Sequence, residues 1–319
     1  MYPRSNIGLS VMTWYIYDGT DLTPLFSTTP QEVPQRVTEV YRQFLATNMH
    51  ERAKAIARQI ALKKPDIVGL QEAVIVELIP PNAHKVVYNF VDILLCELAR
   101  LGIRYRAAAQ NVNSTITLPA STGNLVRLID RNVILVRRES DVEIISTKAA
   151  NYATNYQVQI GGRVFTILRG WVAVDALIRG KKFRLVNTQL EPLSSQVQVS
   201  QANELIAGPA NTKLPLILLG DFNSNASVPG SQVYALLTLL GFKDTWVVGG
   251  IGNGFTAFQD SDVLNALSSL SKRIDFIFTR NGFDAIKDEL VGESQEDRTC
   301  TRLWPSTHAG VFSRLQLGC

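Results

Sequence analysis

Cysteine is scarce in this sequence, and its spacing suits neither a cross-linked scaffold nor a zinc site. The three cysteines, Cys96, Cys300 and Cys319, are odd in number and far apart. A disulfide framework needs paired cysteines, and a structural zinc ion needs close pairs of cysteine or histidine. Cys96 falls on the apolar side of a helical pattern, so we expect it to be a small core residue.

Long apolar runs and runs of one charge are also missing. No stretch of about 18 apolar residues is present, which argues against a membrane-spanning helix. The segment from Met1 to Met12 lacks the layout of a secretory signal, so we expect a cytoplasmic protein. The net charge of +4 comes from 32 basic and 28 acidic side chains without a basic run, and a nucleic-acid partner is therefore not supported.

What the sequence does contain is typical of one globular α/β domain. Hydrophobic residues make up 46% of the 319 residues and charged residues 19%, enough apolar material for a large core. No linker or internal repeat divides the chain, so residues 1–319 are predicted to form a single domain.

Helical and extended patterns alternate along the chain. A helix is predicted from a cap at Asn48 to the stop at Lys63-Lys64-Pro65, and a second helix runs from Val87 to Gly102. A third spans 194–207 and ends at a Gly-Pro pair. Predicted strands cover 7–17, 66–70, 104–110, 132–137, 156–160, 163–178, 183–189, 214–219, 274–279 and 309–315. This order predicts two packed sheets with helices outside.

Acidic, amide and imidazole side chains gather at the predicted strand ends. Glu72 follows one buried strand, Asp221 and Asn223 follow another, and Asp275 and His308 lie at the last two strands. Strand ends of α/β sheets commonly carry ligands and catalytic groups. Carboxylates suit magnesium, and carboxylates with histidine suit activation of water for phosphoester cleavage.

Six sequence blocks resemble, in order, the signature blocks of the endonuclease/exonuclease/phosphatase superfamily. They are Met12-Thr13-Trp14, Leu70-Gln71-Glu72, Asn187-Thr188-Gln189-Leu190-Glu191, Gly220-Asp221-Phe222-Asn223, Arg273-Ile274-Asp275-Phe276 and Ser306-Thr307-His308-Ala309-Gly310-Val311. The resemblance implies a four-layer α/β sandwich of two packed mixed sheets flanked by helices. It also implies a magnesium-dependent phosphoesterase ancestry.

The resemblance assigns roles to five residues. Glu72 matches the magnesium-binding glutamate, and Asp221 with Asn223 matches the pair that orients water and phosphate. Asp275 matches the aspartate that holds the catalytic histidine, and His308 matches that histidine.

Three positions depart from the family pattern. Tyr15 stands where the family usually has Asn, Gln189 where it has His, and Thr307 where it has Asp. We expect these three side chains to line the substrate pocket. Arg169 is expected to line it too, with a structural ion-pair role as the alternative.

The departures remove groups that hydrolysis needs. Besides His308 the chain has only His50 and His84, which match no catalytic block, so no substitute imidazole is apparent. Glutamine cannot exchange a proton near neutral pH. We therefore expect magnesium-dependent hydrolysis to be strongly reduced or lost.

Three functions stay open on the sequence alone. The first is an impaired or atypical magnesium-dependent phosphoesterase acting on a phosphoester. The second is an enzyme repurposed for a small, partly apolar molecule through acid-base chemistry without metal. The third is a protein that binds such a ligand without turning it over.

Overall fold

A computed structural model gives the structure of residues 7–227 and 231–318. Cys319 and the first six residues of the N-terminal segment lie outside the described residues. What the sequence predicts for those positions therefore stays a prediction.

Sixteen strands and six α-helices are described. The strands are β1 (Ile7–Tyr15), β2 (Ile67–Gln71), β3 (Ile75–Ile79), β4 (Val86–Asn89), β5 (Tyr105–Pro119), β6 (Leu125–Arg137), β7 (Val142–Asn151), β8 (Tyr156–Ile160), β9 (Arg163–Ile167), β10 (Gly170–Ile178), β11 (Lys181–Gln189), β12 (Leu216–Asp221), β13 (Lys243–Asp244), β14 (Asp275–Arg280), β15 (Phe283–Val291) and β16 (Gly310–Leu317). The helices are α1 (Val33–Ala46), α2 (Met49–Lys63), α3 (Phe90–Arg100), α4 (Ser195–Ala207), α5 (Gln232–Leu239) and α6 (Thr245–Gly249).

The strands form two large mixed sheets and one hairpin. The first sheet has the order β15-β16-β1-β2-β6-β3-β4, with β5 paired to β6. The second has the order β13-β14-β12-β11-β10-β7, and β8 pairs with β9 in the hairpin. Pairing is parallel between β1 and β2 and between β11 and β12. Because paired parallel strands end at the same edge of the sheet, the C-terminal end of β1 lies beside that of β2, and the C-terminal end of β11 lies beside that of β12.

Apolar cores separate the layers. Val11 of β1 and Val174 of β10 belong to the core between the two sheets. Helices α2 and α3 cover the outer face of the first sheet, where Ile56 is fully buried. Helices α4 and α5 cover the second sheet in the same way, through residues such as Leu205. The predicted four-layer α/β sandwich is thereby confirmed.

Several predicted elements differ from the observed ones. Helix α3 begins at Phe90, because Val86–Asn89 pairs with β3 as strand β4. The predicted strand 163–178 is two strands, interrupted at Leu168 and Arg169. Cys96 is exposed on α3, so its prediction as a core residue was wrong. The apolar stripe of α3 passes beside this position instead of through it.

One glycine of β12 is required for a steric reason. Gly220 in β12 has φ +147°, and a Cβ there would lie 1.9 Å from the carbonyl oxygen of Thr188 on β11. Only glycine therefore allows the two parallel strands to approach this closely where they deliver Gln189 and Asp221.

Candidate active site

A histidine and two aspartates meet where β12, β14 and the segment before β16 come together. Antiparallel pairing places Asp221, the last residue of β12, opposite Asp275, the first residue of β14. His308 Nδ1 lies 2.9 Å from Asp275 Oδ2, and both side chains are buried. Ligand-type atoms of the three residues lie within 4.8 Å of one another. The sequence-predicted grouping of these residues is present in the structure.

Burial and the neighbouring charges shift the pKa values of Asp221 and His308. Burial, followed by the charge of Asp275, raises the pKa of Asp221 to about 7, although His308 opposes the rise. Burial lowers the pKa of His308, but the hydrogen-bonded Asp275 outweighs it and the net shift is upward. Groups this close titrate as a unit. A proton is therefore available to the group near neutral pH, which is the condition for acid-base chemistry.

Asn223 serves Asp221 directly. Its backbone N–H donates to Asp221 Oδ1 at 2.9 Å, and its side-chain Nδ2 donates to Asp221 Oδ2 at 3.1 Å. The same amide nitrogen also donates to the carbonyl oxygen of Leu190 at 2.8 Å. These bonds orient the Asp221 carboxyl group and use both side-chain N–H groups of Asn223.

A second group forms around Glu72, which follows β2. Gln189 Nε2 donates to Glu72 Oε1 at 3.3 Å, and the backbone N–H of Asp18 lies 3.3 Å from Glu72 Oε2. Gln189 Oε1 in turn accepts a 2.6 Å hydrogen bond from Arg169 Nη1. Gln189 thus connects the carboxylate to the guanidinium.

Arg169 lies among three carboxylates, of which Asp130 and Glu191 are buried and Glu72 is partly buried. Its guanidinium is 3.9 Å from Glu72, 3.7 Å from Asp130 and 3.9 Å from Glu191. Burial, opposed by Arg169, raises the pKa of Asp130 to about 6. Sequence reasoning assigned no role to Asp130 or Glu191; Glu191 was visible within the Asn187–Glu191 block, but no motif marked Asp130.

Aromatic rings enclose the imidazole. The ring of Tyr15 stacks on His308 with centroids 4.2 Å apart and planes inclined by 26°. Phe258 contacts the same imidazole edge-on at 5.5 Å. Burial and the neighbouring Glu72 and Asp18 raise the pKa of Tyr15, so its phenol stays neutral. Thr307 is buried next to His308 and contributes a neutral hydroxyl.

A cavity of about 370 Å³ opens onto these groups. Tyr15, Glu72, Arg169, Thr307 and His308 line one part of it, whereas Gln189, which was also expected there, is 1% exposed and lies behind the wall. Asp18, Asp21, Glu191 and several neutral polar side chains line it too. Most other lining side chains are aliphatic or aromatic, and they are Leu22, Leu25, Phe26, Val37, Val40, Tyr41, Phe44, Val76, Ile116, Leu118, Val126, Leu128, Ile160, Ile167, Pro192, Leu193 and Phe258. The volume is in the range of small-molecule sites.

The donor set around Glu72 fits a magnesium ion poorly. Magnesium takes oxygen ligands and completes its octahedron with water and phosphate. Here the Glu72 oxygens face N–H donors of Gln189 and Asp18 and the cation of Arg169. Thr307 supplies no second carboxylate.

These features define a class: a phosphoesterase-like four-layer α/β sandwich with its polar site at the strand ends. The chain belongs to the endonuclease/exonuclease/phosphatase family, whose sequence model matches residues 43–308. The family predicted from the sequence blocks is thereby confirmed. No curated protein matches the chain.

Solved structures share the fold at low sequence identity. An endonuclease/exonuclease/phosphatase family protein from Bacteroides thetaiotaomicron has TM-score 0.60 and 16% identity, covering 99% of this chain and 100% of its own. D. rerio TDP2, complexed with a single-strand DNA product, has TM-score 0.60 and 17% identity over 97% and 98% of the chains. The mannosyl-6-phosphatase Bt3783 of B. thetaiotaomicron has TM-score 0.57 and 16% identity over 96% and 99%.

Family membership changes one expectation about partners. The family includes endonucleases and exonucleases by name, so the prediction against a nucleic-acid partner is not supported by it. Among the described residues, no helix is long and apolar enough to cross a membrane.

Proposed function

We propose that this chain is a family member whose magnesium-dependent phosphoester hydrolysis is strongly reduced or lost and whose cavity binds a small, partly apolar molecule. The contact of Tyr15 with His308 carries the proposal. A phenol ring 4.2 Å from the imidazole covers one face of the group that hydrolysis would use, and it makes the cavity more apolar.

The arrangement of Gln189 supports the loss of hydrolysis. A positioned acid or base contributes about 10²–10⁴ to a rate, and glutamine cannot supply one. Its amide instead links Arg169 and Glu72, so Glu72 is engaged by protein donors.

The acid-base pair next to an apolar wall supports chemistry without metal. Asp221, whose pKa is raised to about 7, lies within 4.8 Å of His308, whose pKa is raised above its ordinary value, so the two side chains can hold and pass a proton. Tyr15, Thr307 and Arg169 would contact the ligand, and Gln189 would act through its hydrogen bonds to Arg169 and Glu72. Proton transfer in an isomerisation or cyclisation is the reaction class that fits. Ligand binding without any product would assign the chain a purely binding role.

The alternative function is a working magnesium-dependent phosphodiesterase or phosphatase with an atypical site. The 2.9 Å contact between His308 and Asp275 favours it, together with the hydrogen bond from Asn223 to Asp221. In that case Glu72 would hold the metal, and a phosphoester would be the substrate.

Magnesium titration separates the two functions. Calorimetry on the unaltered protein is expected to give no micromolar binding, because donors of Gln189, Asp18 and Arg169 surround Glu72. Glu72→Gln serves as the matched control. Micromolar binding that disappears in this variant would favour the working phosphoesterase.

A further inference from the structure

We propose that the ligand of this cavity is a lipophilic amine, with its ammonium head among the carboxylates of Asp18, Glu72 and Glu191 and its hydrocarbon body against the apolar wall. The inference rests on the proposed function and adds the charge and polarity of the ligand to it. It follows from the unequal charges on the cavity walls, from an unpartnered carboxylate oxygen, and from the aromatic rings beside them.

The charges on the cavity wall do not balance. Asp18, Asp21, Glu72 and Glu191 line the cavity, against the guanidinium of Arg169 and the imidazole of His308, and the described lining residues include no lysine. Arg169 is also shared with Asp130 behind the wall. Its contacts of 3.7–3.9 Å to carboxylates are longer than hydrogen bonds, so one cation only partly compensates three anions.

The shortage of positive charge on the cavity wall is clearest at Glu191. Glu191 is 1% exposed, and its Oε1 accepts a 2.8 Å hydrogen bond from the backbone N–H of Leu193. Its Oε2 is buried and accepts no hydrogen bond, and Nε of Arg169, 3.9 Å away, donates none. A buried carboxylate oxygen without a donor is unfavourable. A ligand that brings N–H donors and a positive charge to this wall would remove the penalty.

Most of the remaining lining side chains are apolar, beside the neutral polar Thr20, Thr23, Gln259 and Ser261. Phe26, Val40, Leu118, Val126, Ile160 and Ile167 are among the apolar side chains there. Rings of Tyr15, Tyr17 and Phe258 line the same cavity, and aromatic faces attract ammonium groups. An inorganic or small polar cation would leave the apolar wall uncovered, so both halves of the cavity are matched only by an amphiphile.

An alkyl phosphate fits the apolar half but not the charged half. Without a divalent cation its anionic head would lie beside the same carboxylates and be repelled by them. The order of affinity expected from the walls is therefore amine, then neutral alcohol, then phosphate.

Calorimetry with three ligands of equal chain length tests this order. Decylamine, decanol and decyl phosphate are titrated into the full chain at neutral pH, with and without magnesium. We expect decylamine to bind about tenfold or more tightly than decanol, the size of one hydrogen bond to a charged group. Equal affinity of the two would overturn the amine assignment and leave the apolar ligand of the proposed function intact. If none of the three binds, or if decyl phosphate binds best with magnesium and is hydrolysed, the proposed function itself fails.

Three variants locate the head and the tail. Glu191→Gln keeps the acceptor for Leu193 and removes the charge, so it should reduce the preference for decylamine over decanol about tenfold. Leu118→Ala should weaken both ligands alike, and the exposed Glu139→Gln, outside the cavity, should change neither. Thermal unfolding checks that each variant is folded. An unchanged preference in folded Glu191→Gln would contradict the placement of the ammonium group.

Discussion

Simultaneous replacement of Tyr15 by Asn, Gln189 by His and Thr307 by Asp is expected to raise magnesium-dependent hydrolysis of bis(4-nitrophenyl) phosphate by about 10²–10⁴-fold. The three changes return an amide, an imidazole and a carboxylate to positions around Glu72 and His308. They also remove the ring stacked on His308 and the amide that links Arg169 to Glu72. The measurement is the steady-state rate with magnesium, compared between the triple variant and the unaltered protein.

The control for this experiment removes the retained His308 from the triple variant. His308→Ala in the triple variant should return the rate to the starting level, because Asp275 then has no imidazole to orient. Each single replacement should give less than the triple, since groups of one site act together. A folded triple variant no faster than the unaltered protein would show that the three replacements are not what limits hydrolysis.

Arg169→Gln is expected to have the largest effect on stability. Removing one partner of a buried ion cluster typically costs about 3–5 kcal/mol, because the remaining charges are left buried without compensation. Here Glu72, Asp130 and Glu191 would lose the one cation between them. The free energy of unfolding, measured with denaturant at pH 8, should fall by that amount.

Two comparisons make this prediction specific. Arg179→Gln removes an exposed pair with Asp141 and should cost only about 0–1 kcal/mol. The loss of unfolding free energy caused by Arg169→Gln should become smaller as the pH falls from 8 to 5. The pKa of Asp130 is already raised to about 6 and rises further without Arg169, so protonation removes one of the repelling charges at low pH. A deficit that is small or independent of pH would contradict the role of Arg169 as the internal counter-ion.

Local signals predicted much of the fold. Helix α2 begins where expected, and the side chain of Asn48 accepts the backbone N–H of Glu51 at 3.3 Å. The continuous apolar run of β12 is buried along its whole length. Helix α1 went unpredicted, although its buried Val33, Val37 and Phe44 have helical spacing.

The candidate site was predictable only where a motif marks a residue. Asp221, Asp275 and His308 each lie in a family block, and the pairing of β12 with β14 brings them together. Arg169 lies in a break between β9 and β10 that the sequence pattern does not reveal, because the residues on both sides favour strand. Asp130 reaches Arg169 from the middle of β6. That contact depends on the packing of one sheet on the other, which local sequence does not encode.

We propose that the unaltered protein retains Glu72, Asp221 and His308 but has little or no magnesium-dependent hydrolysis, because Tyr15, Gln189 and Thr307 stand where the family pattern has Asn, His and Asp. The most direct measurement is its turnover of a simple phosphodiester with magnesium or manganese, beside a related phosphodiesterase of the same family. We expect a rate at the level of the His308→Ala variant. A metal-dependent rate comparable to that of the relative, and lost in His308→Ala, would contradict it.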